Sequence, residues 1–371
     1  MKILYSCLSK SWGGLEMFTL NSIQQLLKKE IKVELVCAAD SRIHIEANNL
    51  GIMLHPVKAS GYFHPFTAIQ LALLIRQNEY TLVHTQASKD LWLIVPALKL
   101  AHRKIPLFLT KQVGSFIIKK DFLHRFLYKR IRKIFAISTV IKNNVVETTP
   151  VQPDSVIVMP NGIDIRRFNP ENVDDHKVRS EFNINKDEIV IGMLARFTPG
   201  KGHEEFLLAA KELNKEYSNL RFLVVGEPSR GESEYADKIK KLAEEYELKN
   251  LIFTGYRSDT PEVLSAMDIF AFPSHSEAFG IALVEAMAMK RPSVCSGADG
   301  VLDIAVDGET SYLFKNKDAD DLKFKLKLLI DSKETRIRFG DNARKRVVEN
   351  FDIEIITDRV LKIYQGESNQ V

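Results

Sequence analysis

The stretch Ser274-His-Ser-Glu-Ala-Phe-Gly-Ile-Ala-Leu-Val-Glu-Ala-Met-Ala-Met289 decides how this chain is to be read. Just before it, Ile269 to Pro273 is a short apolar run of the kind that forms a strand buried on both faces. The run breaks at Pro273–Ser274, a polar loop carries Glu277, and Gly280 opens an apolar segment too long for a strand. That segment predicts a helix. Between Gly280 and Met289 its only ionisable residue is Glu285, a carboxylate among alanines, methionines, leucine and valine. Burying it is costly unless something hydrogen-bonds it. A helix start offers free backbone N–H groups and a positive dipole end, both suited to phosphate. Strand, loop and helix N-terminus at the C-terminal edge of a parallel sheet is where open α/β folds bind ligands. Two readings stay open on spacing alone. In one, the acids hold ribose and sugar hydroxyls around a diphosphate. In the other, one Glu is a surface residue and the other pairs with an Arg elsewhere.

The wording of the stretch, E-x7-E within PSHSEAFGIALVEAMA, resembles the signature of the retaining glycosyltransferases of family 4. That resemblance implies the fold class α/β, GT-B: two Rossmann-like, doubly wound parallel-sheet domains facing a central cleft. It implies that Glu277 contacts the donor sugar and Glu285 holds the ribose. It also implies that the amides around Phe279, Gly280 and Ile281 lie on the diphosphate.

At 371 residues the chain is too long for one ordinary core, so two domains are expected. Cys7, Cys37 and Cys295 are scattered without metal-ligand spacing and read as reduced core thiols. The start, MKILYSCLSK, reads as a first strand with no cleavage-like region, and the longest apolar segment, Leu91 to Leu98, is too short to span a bilayer. Charge is unevenly spread. Residues 1–165 hold 21 Lys+Arg against 11 Asp+Glu, net +10, whereas the remainder is net −6. A basic first half predicts an anionic partner there.

In residues 1–165, seven short apolar runs alternate with segments of mostly helical length, the βαβ pattern of a parallel sheet. After the first run, Gly13–Gly14 allows a turn that a ligand can approach closely. By resemblance it is the family's GG(x)E loop against the donor phosphates. Asn161 stands in Pro-Asn-Gly-Ile-Asp, which resembles the family's domain-junction element, and polar text from Ile165 to Lys186 reads as a linker. The domains are therefore expected at 1–165, on the acceptor side, and 166–351, on the nucleotide-sugar side. A C-terminal helix at 352–366 is expected to cross back to the first. In the second domain, Arg196 and Lys201 flank Pro199–Gly200, with a helix beginning near His203. A forked donor and a mobile point charge suit a diphosphate, and the family has this pair in the same order. Tyr256–Arg257 follows a strand and, by resemblance, places backbone against the base. Where the family usually has Gly-Gly and Gly, this chain has Ala298–Asp299 and Ser311, positions that read as loop. Residues 319–350 read as one helical run.

Family members often carry a His close to the anomeric carbon, in a T-x-H setting. Here Gln112 stands in that place, beside Lys111, and His84 matches the first member of an HxH-like pair. A Gln hydrogen-bonds but is no general base, and a lone His after a strand is more often structural. Both are retained as catalytic candidates with Glu277, Arg196 and Lys201.

The function expected is transfer of a hexose-type sugar from a nucleotide-diphosphate sugar, a UDP-sugar favoured, to a glycan or lipid-linked acceptor. Lipopolysaccharide- or capsule-type biosynthesis is the setting that the resemblance implies. No cofactor and no metal are expected, since Asp174–Asp175 lies in the linker and no DxD pair sits on a suitable loop. The alternatives are a nucleotide-sugar epimerase of the same architecture and a basic nucleic-acid-binding protein. The absence of nucleic-acid-binding signatures speaks against the latter.

Residues 117–135, IIKKDFLHRFLYKRIRKIF, hold seven cations and one acid, Asp121. Apolar residues recur at helical spacing, predicting an amphipathic helix over Asp121 to Arg132. As local structure, its apolar stripe packs on the sheet beneath a solvated basic face. So lopsided a face predicts salt-reversible, peripheral attachment of a cytoplasmic protein to the anionic inner face of the membrane.

Overall fold

In the computed structural model, residues 1–59, 61–174, 176–229 and 231–368 are described, so Asp175 of the linker pair lies outside them. The chain divides into two units: Met1–Asn161 with Ile353–Val371, and Gly162–Asp352.

The first unit is built on a seven-stranded, wholly parallel sheet. Its strands are β1 (Lys2–Cys7), β2 (Lys32–Ala38), β3 (Met53–Val57), β4 (Leu82–Thr85), β5 (Leu107–Lys111), β6 (Lys133–Ala136) and β7 (Val156–Val158), ordered β3-β2-β1-β4-β5-β6-β7. The order reverses between β1 and β4, which pair directly with Tyr5 opposite His84. β1 and β4 are buried almost throughout, on both faces, so their buried positions follow one another without the alternation of a half-exposed strand. The chain's last helix, Ile353–Ser368, belongs to this unit. Its Tyr364 is fully buried among Tyr5, Phe108 and Phe135.

The second unit has a six-stranded parallel sheet. Its strands are β8 (Ile189–Leu194), β9 (Leu220–Val225), β10 (Leu251–Gly255), β11 (Ile269–Phe272), β12 (Ser293–Ser296) and β13 (Ser311–Phe314), ordered β10-β9-β8-β11-β12-β13. The reversal here lies between β8 and β11. Phe206, Leu213, Phe222 and Phe339 form part of its core.

Four local expectations are corrected. The run 319–350 is two helices, Ala319–Ile330 and Lys333–Asn350, because Ser332 leaves the helical region and caps the second by accepting from the Thr335 N–H. Ser311, a position read as loop, opens an edge strand, Ser311–Phe314. The linker contains a helix, His176–Glu181, whose Val178 is buried. The amphipathic helix is only Phe122–Tyr128, capped by Asp121, because Ile134 already belongs to β6. Its stripe does not pack on the sheet as a whole. Leu127 and Tyr128 are buried, but Ile118, Phe122, Leu123 and Phe126 are exposed. The basic face is also thinner than expected. Arg130 donates to the carbonyls of Arg103 and Ile105, Lys133 to that of Asp154, and Arg132 pairs with Glu367.

Candidate functional site

In the second unit the switch point lies between the ends of β8 and β11, the place where an open parallel sheet binds ligands. Two loops leave it, one from each strand. Ala195 to Gly202 leaves β8 and ends in the helix His203–Leu213; Pro273 to Gly280 leaves β11 and ends in the helix Ile281–Ala288. Both helices begin on a glycine in the left-handed region, Gly202 at φ 78° and Gly280 at φ 112°. Gly202 has a second constraint, since a Cβ there would lie 2.2 Å from the Pro273 carbonyl oxygen. The loops are stitched together where the His275 N–H donates to the Gly200 carbonyl at 2.8 Å. A third loop, 297–300, lies underneath. The Gly300 N–H donates to the Glu277 carbonyl at 3.0 Å, and Ser276 Oγ donates to Asp299 Oδ2 at 2.5 Å.

This framework brings the sequence candidates together in pairs. Lys201 Nζ and Glu277 Oε1 are 2.5 Å apart, both largely shielded from solvent. The cation expected at the diphosphate and the acid expected at the sugar thus hold each other at the mouth of the switch point. Arg196 donates to Ser229 Oγ at 3.0 Å across the turn after β9. Phe279 is buried against Phe351, whereas Ile281 is exposed.

Glu285 is half-buried in the first turns of its helix, and burial pushes its carboxyl up to about 7, against the pull of Arg167. The hydrogen-bonded pairing with an Arg elsewhere, the second of the two sequence readings, is not formed by Glu285. No described residue hydrogen-bonds its carboxylate, and Arg167 donates instead to the Ser258 carbonyl at 3.4 Å. It is an acceptor poised for donors that the chain does not supply. Tyr256 is exposed, while Arg257 is committed to Glu181 and Asp259 and held well above the usual guanidinium range by them. Only the backbone of that turn and the Tyr256 ring are left for a ligand.

The first unit's switch point, between β1 and β4, holds a cluster that the sequence did not single out. Asp90 is buried and accepts from the Leu8 N–H at 3.1 Å and from the hydroxyls of Ser6 and Thr85, each at 3.4 Å. Burial lifts its carboxyl to about 7. Gln86 beside it is buried with neither amide atom partnered. Lys111, at the end of β5, donates to Ser88 Oγ at 3.1 Å, and burial lowers its ammonium to about 8. The available signal was Asp90 itself, the one acid in the run 80–120.

Gln112 and Asn161 exchange amide hydrogen bonds at 3.3 and 3.1 Å, which orients both at the same sheet edge. Gly13 and Gly14 start the helix Gly14–Lys28 with no positive φ, and a Cβ on Gly14 would meet nothing within 4 Å. What they provide is open space over a helix start. His84 is the correction among the catalytic candidates. Its Nδ1 is hydrogen-bonded to the Tyr364 hydroxyl, Nε2 lies 2.8 Å from Thr110 Oγ1, and burial lowers it to about 3. It is a neutral core residue with no ring nitrogen left for a substrate.

Among the described residues no group of three His, Cys, Asp or Glu could hold a metal ion.

The sequence matches two family descriptions, "Glycosyltransferase Family 4" over residues 12–167 and "Glycosyl transferases group 1" over residues 174–346. Among curated relatives, a capsular polysaccharide biosynthesis glycosyltransferase of Staphylococcus aureus is 24% identical over 62% of this chain and 60% of its own length. An N,N'-diacetylbacillosaminyl-diphospho-undecaprenol alpha-1,3-N-acetylgalactosaminyltransferase of Campylobacter jejuni is 26% identical over 96% of this chain and 97% of that protein. A UDP-Gal:alpha-D-GlcNAc-diphosphoundecaprenol alpha-1,3-galactosyltransferase of Escherichia coli is 26% identical over 80% and 78%. Among solved structures, a glycosyltransferase of Rickettsia africae superposes with a TM-score of 0.89 at 22% identity, covering 99% of this chain and 98% of its own. HepE of Anabaena, in complex with UDP-glucose, superposes at 0.80 and 21% identity, covering 99% and 100%. With two parallel-sheet units of matching architecture and both family descriptions satisfied, this chain belongs to the GT-B glycosyltransferases.

Proposed function

We propose that this glycosyltransferase moves a hexose-type sugar from a UDP-sugar to a lipid-linked glycan of the surface-polysaccharide kind, with retention of configuration. It would work at the inner face of the membrane. The observation that carries the donor half is the second unit's switch point. There the Lys201–Glu277 pair and the unpartnered carboxylate of Glu285 surround the helix start at Gly280. In this reading Glu285 accepts the ribose hydroxyls, and binding replaces the hydrogen bonds that it lacks. The first-turn amides after Gly280, with Arg196 and Lys201, take the diphosphate. As the sugar–oxygen bond breaks, negative charge grows on that leaving group, and fixed cations and amides stabilise it without reorganising. Glu277 hands Lys201 to the phosphate and turns to the sugar hydroxyls. No metal is required in this scheme. The choice of UDP is supported by the nucleotides named for HepE and for the Escherichia coli relative. The acceptor class is supported by the diphospho-undecaprenol named for two relatives.

The test is a panel of UDP-, GDP- and ADP-sugars scored by thermal shift, followed by transfer assays with diphospho-polyprenyl glycans. The expected outcome is stabilisation by one UDP-sugar and nucleotide release only when acceptor is present. Nucleotide-independent melting across the panel would overturn the donor assignment. Sugar interconversion without acceptor would favour the epimerase.

A further inference from the structure

We propose that the first unit carries a membrane-insertion face, made by the segments after β3 and β5, that seats in an anionic bilayer through apolar side chains rather than by charge alone. The proposal rests on the membrane-acceptor reading above and says how the enzyme meets that acceptor.

Phe63 and Phe66, entering the helix Pro65–Gln77, are 86% and 81% exposed. Phe116 and Phe122, on the other segment, are 107% and 80% exposed, with Ile117 and Ile118 between them. Six large apolar side chains in two short segments are far from the singly scattered exposure normal for a soluble surface. In the second unit, by contrast, the exposed large apolar residues are isolated in sequence, as Leu302 and Phe324 are.

The two segments are neighbours in space. The Tyr62 ring packs edge-on against Trp92 at 5.5 Å, and Trp92 packs edge-on against His124 at 5.6 Å. Trp92 lies on the helix Leu91–Leu100, so a single indole joins the segment after β3 to the helix Phe122–Tyr128. Lys89 Nζ sits 5.4 Å over the Tyr62 ring, and Lys99 Nζ 4.0 Å over that of Phe126.

Charge decides the occupant. Residues 58–78 and 99–120 contain no Asp or Glu, and the one acid between Phe116 and Phe126, Asp121, is tied to its helix cap and to His124. Lys120, Arg125 and the two ring-stacked lysines flank the apolar cluster. Aromatic and aliphatic tips surrounded by cations match the boundary between acyl chains and anionic headgroups. Location agrees with purpose. Both segments leave the C-terminal edge of the sheet, the edge that carries Asp90, Gln112 and Asn161. A lipid-linked acceptor held in that bilayer is therefore presented to the edge that has to receive it. Among the described residues no helix is long and apolar enough to cross a membrane, which fits insertion from one side.

The test is vesicle flotation of the full chain with phosphatidylglycerol-containing and pure phosphatidylcholine vesicles, at low salt and at half-molar NaCl. No donor or acceptor is present, so failure here is distinct from failure of the transferase reading. Phe63→Ser/Phe66→Ser and Phe116→Ser/Ile117→Ser are compared with Phe324→Ser on the second unit. Circular dichroism and UDP-sugar thermal shift verify that each variant is folded. The expected result is binding to anionic vesicles that largely survives high salt, falls at least tenfold in each first-unit double variant, and is unchanged in Phe324→Ser. Binding fully released by salt and untouched by the serine variants would overturn insertion in favour of simple charge attraction. Negligible binding, or a self-association in solution that the serine variants abolish, would overturn it as well, the latter by assigning the face to a second copy of the chain.

Discussion

Glu285, half-buried, and His84, buried, show how differently two titratable side chains removed from water behave. Glu285 lacks a hydrogen-bond partner and His84 has two, so one carboxylate is left to accept from a ligand and the other side chain is held in place by the chain itself. Because burial raises Glu285 from 4.5 to about 7, the folded chain retains its proton where the unfolded chain has lost it. The ligand-free protein therefore loses stability from this group as pH rises from about 4.5 to about 7, and no more above that. Ribose hydroxyls favour the ionised form. The affinity for a UDP-sugar, whose diphosphate is esterified at both ends, should therefore weaken as pH falls below about 7. Calorimetric titration from pH 5.5 to 8 checks this, and Glu285→Gln should flatten the profile at the weak level. Loss of charged hydrogen bonds at this position amounts to roughly 1.5–3 kcal/mol. His84→Ala should instead unpair Tyr364 and Thr110 and leave a cavity, lowering stability by roughly 2–4 kcal/mol in urea unfolding. The folded fraction of that variant should keep its affinity for the nucleotide sugar. A wild-type unfolding midpoint in His84→Ala would contradict the structural role.

Among elements, the two helix starts at the second switch point are decisive. Gly202 is fixed by a left-handed backbone and by the Pro273 carbonyl, and no side chain relieves both. Gly202→Ala should displace the loop that carries Lys201. The expected outcome is a lower melting temperature together with at least a tenfold loss of nucleotide affinity. Gly14→Ala provides the contrast. A Cβ there meets nothing and the backbone is not left-handed, so the helix Gly14–Lys28 should gain up to about 1 kcal/mol. If the open space over that helix start serves a phosphate, transfer should drop in Gly14→Ala while melting rises slightly. Unchanged kcat/KM would remove Gly14 from the site.

At the scale of the whole molecule, the last helix completes the first unit. Tyr364 fills the space between Tyr5, Phe108 and Phe135 and satisfies His84. Tyr364→Ala should destabilise by roughly 3–5 kcal/mol, as large aromatic deletions in cores do. Truncation after Asp352 should leave that unit unable to unfold cooperatively in calorimetry. Charge stabilisation by Arg196, Lys201 and helix amides predicts that transfer persists in EDTA. Complete loss, restored by magnesium or manganese, would replace that scheme with a metal-assisted one.

The sequence by itself determined the parallel sheets, the switch-point loops, the presence of Glu277, Arg196 and Lys201 on those loops, and that of Glu285 on the helix that follows. These are local properties: an apolar run is a strand wherever helices cover it, and glycine opens a helix where the backbone turns left-handed. The second-unit grouping of Lys201 with Glu277 was legible only through the family's phrasing, since these two residues lie 76 positions apart. Only the tertiary structure decided the rest. His84 became structural because a helix from the far end of the chain brings Tyr364 to it, a contact across 280 positions. Asp90 came to matter because β1 and β4 are neighbours in space. The stripe at 116–126 turned outward because its short helix ends before β6, leaving most of its apolar residues beyond reach of the sheet. Periodicity shows that a face is apolar, but what covers that face depends on contacts distant in sequence.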